Sequence, residues 1–215
     1  RHHAIAAKVP MLEPSDSAEC RDMTKLAYAL SEQFDTPVML RLSTRIAHSR
    51  SIVDTTDRED VPLKPYEKNQ AKNIMLPAFA RPKHEFVEKR TAAERAWAET
   101  CSLNFVEDNG AKTGVIVAGS VYKYAKEALG DTVNYLKLGV VNPLPVEKIR
   151  SFAAGLETVY VIEELDDIIE SHCKKIGVPV VGKDVFPRCG EFSQKLIAEK
   201  LGIQRGESVS LEEDI

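Results

Sequence analysis

The sequence predicts an α/β protein that ends in a domain with a parallel sheet. Between Thr113 and Leu201, short apolar runs alternate with segments of helical periodicity. Each run ends at a glycine, a proline turn or an acidic pair before the next helix begins, a pattern typical of doubly wound sheets. Nearer the start, an apolar run, an amphipathic helix and a second apolar run form a partial βαβ unit, which also favours a parallel sheet.

The partial βαβ unit occupies residues 1–50. A short strand is predicted at Val9–Glu13, and Ser15-Asp16-Ser17 supplies side chains that cap helix N-termini. Apolar side chains at helical spacing predict a helix over 17–34, and a second extended run follows at Val38–Leu42. Because a parallel sheet must be covered on both faces, we interpret this unit as the C-terminal part of a larger α/β domain.

Residues 51–112 are predicted to be an extended linker that contains a helix. Mixed charges and four prolines interrupt the stretch from Arg45 to Pro82, and no period is sustained there. Side chains from Phe86 to Phe105 recur at intervals of three and four residues, which predicts a helix over 83–104. The polar run 107–112 ends it.

The predicted C-terminal domain covers residues 113–202. Its strands are expected at four apolar runs: Thr113–Ala118, Val133–Leu138, Thr158–Ile162 and Val178–Val181. Its helices are expected at Val121–Leu129, Val146–Ala154, Asp167–Lys175 and Glu191–Leu201. The acidic residues 203–215 are expected to be a tail or a linker.

Composition narrows the class of protein. Apolar residues make up 43% and charged residues 29%, as in soluble globular proteins. The net charge of −4 argues against nucleic acid as a partner, and no apolar run is long enough to cross a membrane. The opening residues lack a signal-peptide core, so a cytoplasmic protein is expected. The four cysteines are too scattered for a zinc site, an iron–sulfur motif or a redox pair.

Polar residues follow the second predicted strand and form the first candidate site. Arg41, Thr44, Arg45 and His48 lie at or just beyond its carboxyl end, the edge at which parallel sheets bind ligands. Guanidinium and hydroxyl groups there can bind the carboxylate of a substrate. They can equally anchor an interface or the linker by pairing with neighbouring carboxylates, and both interpretations stay open.

Gly119-Ser120 is the second candidate site, at the end of the strand over 113–118. Backbone N–H groups at such a turn can bind an anion. A single glycine is only a small part of a dinucleotide-binding motif, however. We therefore favour an ordinary strand-to-helix turn with Ser120 as the N-cap.

Acidic residues follow the third strand of the C-terminal domain, at Glu163-Glu164, with Asp166 and Asp167 just beyond. We favour a cap on the next helix, supplied by one of the aspartates, over acid–base catalysis or cation binding. His2 and His3 lack a third ligand for a metal ion. No catalytic residue and no metal site is therefore predicted.

Several runs resemble known proteins. GVIVAGSVYKYAKEAL, VNYLKLGVVNPLPVEKI and TVYVIEEL follow one another as in the C-terminal domain of the transketolase family, which this region resembles. The opening stretch with EPSDS and PVMLRLSTRIAHS is similar to the end of the pyrimidine-binding domain of 2-oxoacid:ferredoxin oxidoreductases, closely so in the α subunits of the indolepyruvate branch. The run GKDVFPRCGEFS fits the same family.

This resemblance implies an enzyme that oxidatively decarboxylates aryl 2-oxoacids to acyl-CoA and reduces ferredoxin. It implies thiamine diphosphate, Mg²⁺, 4Fe–4S clusters and coenzyme A in the whole enzyme. The implied partners are the rest of the polypeptide, a second (β) subunit and ferredoxin. The family's Gly-Asp-Gly motif and cysteine-rich end do not occur in this sequence. We therefore expect a non-catalytic portion that binds none of these cofactors and is inactive alone.

Two other interpretations stay open. In the first, the chain is a subunit fragment of a related oxidoreductase that acts on pyruvate or 2-oxoglutarate. In the second, it is a stand-alone α/β module that binds a nucleotide at Gly119-Ser120 or serves assembly.

Overall fold

The computed structural model describes residues 1–58, 60–63 and 65–203. Within that range the elements are, in chain order, α1 (His2–Ala7), β1 (Met11–Leu12), α2 (Ser17–Phe34), β2 (Met39–Leu40), α3 (Thr44–His48), α4 (Gln70–Asn73), α5 (Pro77–Thr100), β3 (Phe105–Glu107), β4 (Thr113–Ala118), α6 (Val121–Leu129), β5 (Asn134–Leu138), β6 (Val140–Asn142), α7 (Val146–Ala153), β7 (Thr158–Ile162), α8 (Ile168–Lys175) and α9 (Gln194–Lys200). The tail expected at 203–215 lies, from residue 204 onward, outside the described residues.

A four-stranded sheet with the order β3-β5-β4-β7 forms the centre of the C-terminal unit, residues 101–203. β4 pairs in parallel with both β5 and β7. Strands covered on both faces need continuous apolar side chains, which the runs at 113–118 and 158–162 supply. α7 and α8 pack on one face of the sheet, and α6 and α9 pack on the other. The predicted α/β class is confirmed.

The sheet differs from the predicted one at both edges. The run Val178–Val181 forms a single bridge, from Val181 to Tyr160, in place of a full strand. Pro179 within this run has no backbone N–H to donate to a ladder. At the other edge, β3 lies antiparallel to β5, where the sequence predicts the end of a helix and a loop. Three residues are too few to show the alternation that identifies a strand.

The helices of the C-terminal unit lie close to the positions that the sequence predicts. α6 has the predicted bounds, whereas α7 ends one residue early and α8 begins one residue late. α9 begins at Gln194 rather than Glu191, because the Ser193 hydroxyl accepts a hydrogen bond from the Leu196 N–H at 3.2 Å. Glu191 therefore lies outside the helix.

Residues 1–49 form the N-terminal unit, in which α2 connects the parallel strands β1 and β2. This strand–helix–strand arrangement is the predicted one, whereas α1 was not expected. The other edge of β1 pairs with β6 of the C-terminal unit in antiparallel fashion. The sheet β2-β1-β6 therefore contains strands from both units, although the boundaries predicted near residues 50 and 113 separate them.

Side chains at both ends set the length and position of α2. The Asp16 carboxylate accepts a hydrogen bond from the Glu19 N–H at 2.8 Å, and Glu19 accepts hydrogen bonds from the N–H and hydroxyl of Ser15. The helix ends at Phe34, and Asp35 follows in the left-handed conformation. Its buried face packs against α5, through Met23, Leu30, Phe34, Ala98 and Cys101.

α5 begins at Pro77 rather than at Lys83 and ends at Thr100 rather than at Asn104. A proline in the first turn is compatible with a helix because the first N–H groups have no partner there, and Pro82 is accommodated inside the helix. Arg90 donates to the carbonyl oxygen of Lys8 at 3.0 Å and to that of Asp35 at 3.5 Å. One guanidinium of α5 thus binds the C-terminal ends of α1 and α2.

Residues 50–76, which we call the connector, join the N-terminal unit to α5. The described residues of the connector are mostly extended and exposed, apart from the short helix α4. α3, just before the connector, is a helix of five residues where an extended stretch was expected. Across the described ranges, no helix has the length and apolar character needed to span a membrane.

Candidate functional site

The candidate sites predicted from the sequence lie close together, where the N-terminal unit contacts the C-terminal unit. We call the contacts between residues 1–49 and residues 101–203 the seam. An open cleft of about 610 Å³ lies along the seam, and we call it the strand-end cleft. Its lining is rich in hydroxyl and charged groups: Ser15, Asp16, Ser17, Thr44, Arg45, Ile46, His48, Ser49, Arg50, Ser51, Ser120, Lys123, Tyr124 and Glu191. A smaller pocket shares Ile46 and Ser120 with it and is also lined by Arg41 and Gly119.

A buried ion network forms the polar centre of the seam. Arg1 donates to both carboxylate oxygens of Glu13, at 2.7 and 2.8 Å, and to Glu163 Oε2 at 2.5 Å. Arg41 donates to Glu13 Oε1 at 3.1 Å. The side chains of Glu13 and Glu163 are each 1% exposed, and that of Arg1 is 8% exposed. The buried guanidinium of Arg1 and the partly exposed guanidinium of Arg41 therefore balance the two buried carboxylates, as buried charges require.

The pKa values of the two buried carboxylates are shifted in opposite directions. Burial alone raises the pKa of Glu13, but the hydrogen bonds and charge of Arg1, with the charge of Arg41, bring the pKa below its ordinary value. Burial raises the pKa of Glu163, and the charge of Arg1 offsets only part of that effect. The carboxylate with two guanidinium partners is thus the more firmly ionised of the pair.

Gly119 of the C-terminal unit lies directly beside the carboxylate of Glu13. Its φ of +61° is in the left-handed region, and a Cβ at this position would lie 3.3 Å from Glu13 Oε2. Next to it, the Ser43 hydroxyl donates to the Ser120 hydroxyl at 3.2 Å. Ser120 occupies the N-cap position of α6, as predicted, but its side chain makes no capping hydrogen bond.

The residues predicted around the second strand divide into two groups. Arg41 is 33% exposed and is paired with Glu13. Thr44, Arg45 and His48 lie on α3 and line the strand-end cleft. Arg45 is exposed, donates to Glu191 Oε2 at 2.9 Å and lies 5.7 Å from the centre of the Tyr124 ring.

Two basic side chains of the cleft, His48 and Arg50, have no hydrogen-bond or ion-pair partner among the residues that the structure describes. Lys123, on the opposite wall, is paired with Asp16 at 3.0 Å. The cleft can therefore accept an anion at its His48 and Arg50 end, whereas its other cations already have carboxylate partners.

A second buried ion pair crosses the seam behind Asp16. Lys137, on β5, is 0% exposed and donates to Glu19 of α2. Burial lowers the pKa of Lys137, and the charge of Glu19 opposes that shift. Because Glu19 also binds Ser15, the start of α2 is tied directly to the central sheet.

The cap of α8 differs from the predicted one. Asp167 stands at the N-cap position, but its side chain makes no capping bond to the backbone. The Glu163 carboxylate instead accepts hydrogen bonds from the N–H groups of Ile169 and Glu170, at 3.1 and 2.9 Å. Glu164 accepts from the Phe192 N–H at 2.8 Å. The acidic residues after β7 thus have structural partners, as favoured above, with Glu163 in the role assigned to an aspartate.

The donor groups present do not match the cofactors that the resemblance implies. Among the described residues, no three histidine, cysteine or acidic side chains cluster as a metal site would require. Cys101 and Cys173 are buried in different clusters, Cys20 is half-buried and Cys189 is exposed. Nothing in this part of the chain fits an iron–sulfur cluster or a magnesium diphosphate.

Glu13, Arg1 and Lys137 are the polar groups of the seam that sequence reasoning missed. Two of the contacts join residues far apart along the chain, since 162 positions separate Arg1 from Glu163 and 118 separate Lys137 from Glu19. Glu13 binds Arg1 and Arg41, which are 12 and 28 positions away. A lysine inside the apolar run 133–138 is the one sequence signal of a buried charge. It indicates a partner without identifying it.

Comparison with known proteins shows what the chain is related to. No protein-family model matches it. It is 34% identical over 219 residues to indolepyruvate oxidoreductase subunit IorA of Pyrococcus horikoshii, and 36% identical over 212 residues to the same subunit of Methanothermobacter marburgensis. Each match covers 92% of this chain. The chain is homologous to a segment of this subunit. The resemblance found in the sequence is confirmed.

The relatives are much longer than the chain. The chain spans about a third of the length of the curated IorA relatives it matches, 34% of each. The chain is also similar to a solved structure of 2-oxoglutarate:ferredoxin oxidoreductase from Magnetococcus marinus with 2-oxoglutarate, coenzyme A and succinyl-CoA bound. The match covers 90% of this chain and 41% of the chain in that structure. The TM-score is 0.61 at 16% identity, so this likeness shows a common fold.

Proposed function

We propose that the chain is a non-catalytic segment of an indolepyruvate:ferredoxin oxidoreductase α subunit. The whole enzyme oxidatively decarboxylates aryl 2-oxoacids to acyl-CoA and reduces ferredoxin, with thiamine diphosphate, Mg²⁺, 4Fe–4S clusters and coenzyme A. The observation that carries the proposal is the identity of 34–36% to IorA along 92% of the chain. In this proposal the cofactors are held by other parts of the enzyme, which is supported for the metal groups by the lack of a cluster of three metal-binding side chains in the described residues.

The role of this segment is to hold two units of the subunit in a fixed relation. β1 pairs with β6, apolar side chains of residues 4–11 pack into the core of the C-terminal unit, and Arg1 bridges Glu13 and Glu163. The partners in this proposal are the rest of the polypeptide, a second (β) subunit and, for the whole enzyme, ferredoxin. The proposal includes a cytoplasmic location and no binding to nucleic acid or membrane, and the net charge of −4 supports the absence of nucleic-acid binding.

The strand-end cleft has a separate role in this proposal. Arg41 is an anchor of the seam, because its guanidinium is already paired with the buried Glu13. Thr44, Arg45 and His48, with Gly119-Ser120 opposite, form a surface that receives the carboxylate of the 2-oxoacid or another anion. The unpaired Arg50 and His48 support this assignment, whereas the pairing of Arg45 with Glu191 supports an anchoring role for Arg45.

The full-length subunit, produced with its second subunit, tests the proposal. With thiamine diphosphate, coenzyme A and ferredoxin, we expect kcat/KM to be highest for indole-3-pyruvate among indole-3-pyruvate, pyruvate and 2-oxoglutarate. The 215-residue chain alone should be inactive. In the same assay, Arg45→Gln should raise KM if Arg45 contacts the substrate, and should leave KM unchanged if Arg45 serves only as an anchor.

Other outcomes support the alternatives. A preference for pyruvate or 2-oxoglutarate indicates a different 2-oxoacid oxidoreductase. A thermal shift of the 215-residue chain by a nucleotide, lost in Ser120→Ala, indicates an independent binding module instead.

A further inference from the structure

We propose that Glu13 is a positioning residue, whose buried carboxylate fixes Arg41 and thereby sets the location of the α3 side chains in the strand-end cleft. This inference rests on the proposed function, because it concerns the anion-binding role of that cleft. Glu13 itself is 1% exposed and does not line the cleft. Glu13 lines only the smaller pocket beside the cleft, so its contact with the cleft is made through Arg41.

The position of Glu13 is determined from three sides. Its backbone N–H donates to the Gly139 carbonyl oxygen at 2.9 Å, which ties it to the C-terminal unit. Its two carboxylate oxygens receive Arg1 Nε and Nη2 at 2.7 and 2.8 Å, the parallel geometry in which guanidinium and carboxylate bind most specifically. On its remaining side Gly119 leaves room for Oε2, because a Cβ there would approach to 3.3 Å.

Arg1 in turn is bound by the carboxylate of Glu163, whose position is itself fixed. Arg1 Nη1 lies 2.5 Å from Glu163 Oε2, and Glu163 accepts the first free N–H groups of α8. The carboxylate of Glu163 is thus fixed by the N-terminus of a helix, where negative charge is favoured. The order of contacts runs from α8 through Glu163, Arg1 and Glu13 to Arg41.

Arg41 connects this network to the cleft through a short piece of backbone. Its N–H donates to the Leu12 carbonyl oxygen at 2.9 Å, at the end of the β1–β2 pairing. Ser43, two residues later, caps α3 and donates to Ser120. Thr44, Arg45 and His48 follow in a helix of only five residues. With so few residues between them, a displacement of Arg41 moves the cleft side chains as well.

The charges of the network make Glu13 the critical member. Glu13 is the carboxylate shared by Arg1 and Arg41, whereas Glu163 pairs with Arg1 alone. Glu13→Gln keeps the size of the side chain but leaves the two guanidinium groups without a shared negative charge. Glu163→Gln removes a charge of equal burial from the same network without touching Arg41. The second variant is therefore a matched control.

The test uses the full-length subunit with its partner subunit and indole-3-pyruvate as substrate. We expect Glu13→Gln to raise KM about tenfold and to change kcat less than about twofold, as the loss of one charge-assisted contact to bound substrate would do. Glu163→Gln should lower the melting temperature and raise KM clearly less than Glu13→Gln does, because the ion pair of Glu13 with Arg41 remains. Glu13→Asp, which keeps the charge, should restore KM at least in part.

Several outcomes overturn the inference. An equal rise of KM in Glu13→Gln and Glu163→Gln shows a general effect of the buried network. A fall of melting temperature in Glu13→Gln with unchanged KM shows a structural role only. If Glu13→Gln does not fold, Arg41→Lys is measured instead, and an unchanged KM contradicts the inference. A wild-type complex that is inactive on all three 2-oxoacids overturns the proposed function and this inference with it.

Discussion

The seam and the connector are both rich in polar residues, yet they are ordered in different ways. In the seam, the carboxylates of Glu13 and Glu163 are 1% exposed and both bind Arg1, so that Arg1 of the N-terminal unit joins Glu13 to Glu163 of the C-terminal unit. Along the connector, Ile52 and Leu63 are 97% and 98% exposed. Its contacts with the N-terminal unit include a hydrogen bond from Arg21 to the Asp54 carbonyl oxygen and the ion pair of Lys72 with Asp35.

This difference identifies the part of the chain whose side chains determine how the two units are placed. A buried polar group without a partner costs free energy, so each group in the seam restricts where the opposite unit can lie. Polar groups of the connector remain hydrated in many arrangements, and apolar side chains such as Ile52 and Leu63 bury almost no surface. Substitutions in the seam should therefore affect stability strongly, and those in the connector should affect it little.

The largest loss of stability is expected from a larger side chain at Gly139, in the seam. A Cβ there would lie 2.8 Å from the carbonyl oxygen and from Cβ of Leu103 and 2.9 Å from Met23 Cε, closer than packed atoms can approach. Gly139→Ala should lower the free energy of unfolding by about 3 kcal/mol, measured by urea unfolding of the 215-residue chain. Gly110→Ala, where only the φ of +71° is unfavourable, should cost about 1 kcal/mol. An equal loss of stability in Gly139→Ala and Gly110→Ala would show that steric crowding at Gly139 does not contribute.

A smaller, pH-dependent effect is expected from Asp16, which caps α2 and pairs with Lys123. Burial raises the pKa of Asp16, but the Glu19 N–H and Lys123 outweigh burial and bring the pKa below its ordinary value of 3.8. A carboxylate with a lowered pKa stabilises the fold above about pH 4 and loses that contribution as the pH falls through its folded pKa.

Asp16→Ala tests this pH dependence. It should lower the free energy of unfolding by about 1 kcal/mol at pH 7 and by less at pH 3, measured by urea unfolding. Asp57→Ala, at an exposed carboxylate of the connector, is the control and should have no effect at either pH. A loss in Asp16→Ala that is the same at both pH values would show that its charge does not contribute.

The smallest effect is expected in the connector itself. Leu63→Ser should change the free energy of unfolding by less than about 0.5 kcal/mol, because the leucine side chain is already in water. Leu12→Ser, at a leucine that is 0% exposed in β1, is the matched substitution in the seam and should be severely destabilising. A marked loss of stability in Leu63→Ser would show that the connector packs against the chain after all.

The elements that the sequence predicts best are those whose signals are local. Asp16 and Phe34 bound α2 as predicted, and the apolar run at 113–118 is β4. The start of α5 was misplaced because Pro82 was taken as an interruption, although the helix contains it. β6 was missed because its three residues form a strand only when β1 lies beside them.

The sequence predicts two separate candidate sites, each at the end of a strand. It does not predict that the two sites lie next to each other. Arg41 and Gly119 each lie at the end of a run that is recognisable by itself. What joins them is Glu13, which binds Arg41 and lies beside Gly119, and this position depends on the pairing of β1 with β6 of the distant C-terminal unit. Hydrophobic periodicity carries no information about such pairing, so the buried network could not be inferred.

The sheet shared by the two units has a consequence for the covalent chain. Because β1 is held between β2 and β6 by backbone hydrogen bonds, the connector is not needed to keep the units together. A proteolytic cut near Arg58 should leave two pieces that remain associated without a peptide bond between them. The gene could then be divided at this point, and the two polypeptides would assemble into the same sheet as complementary fragments.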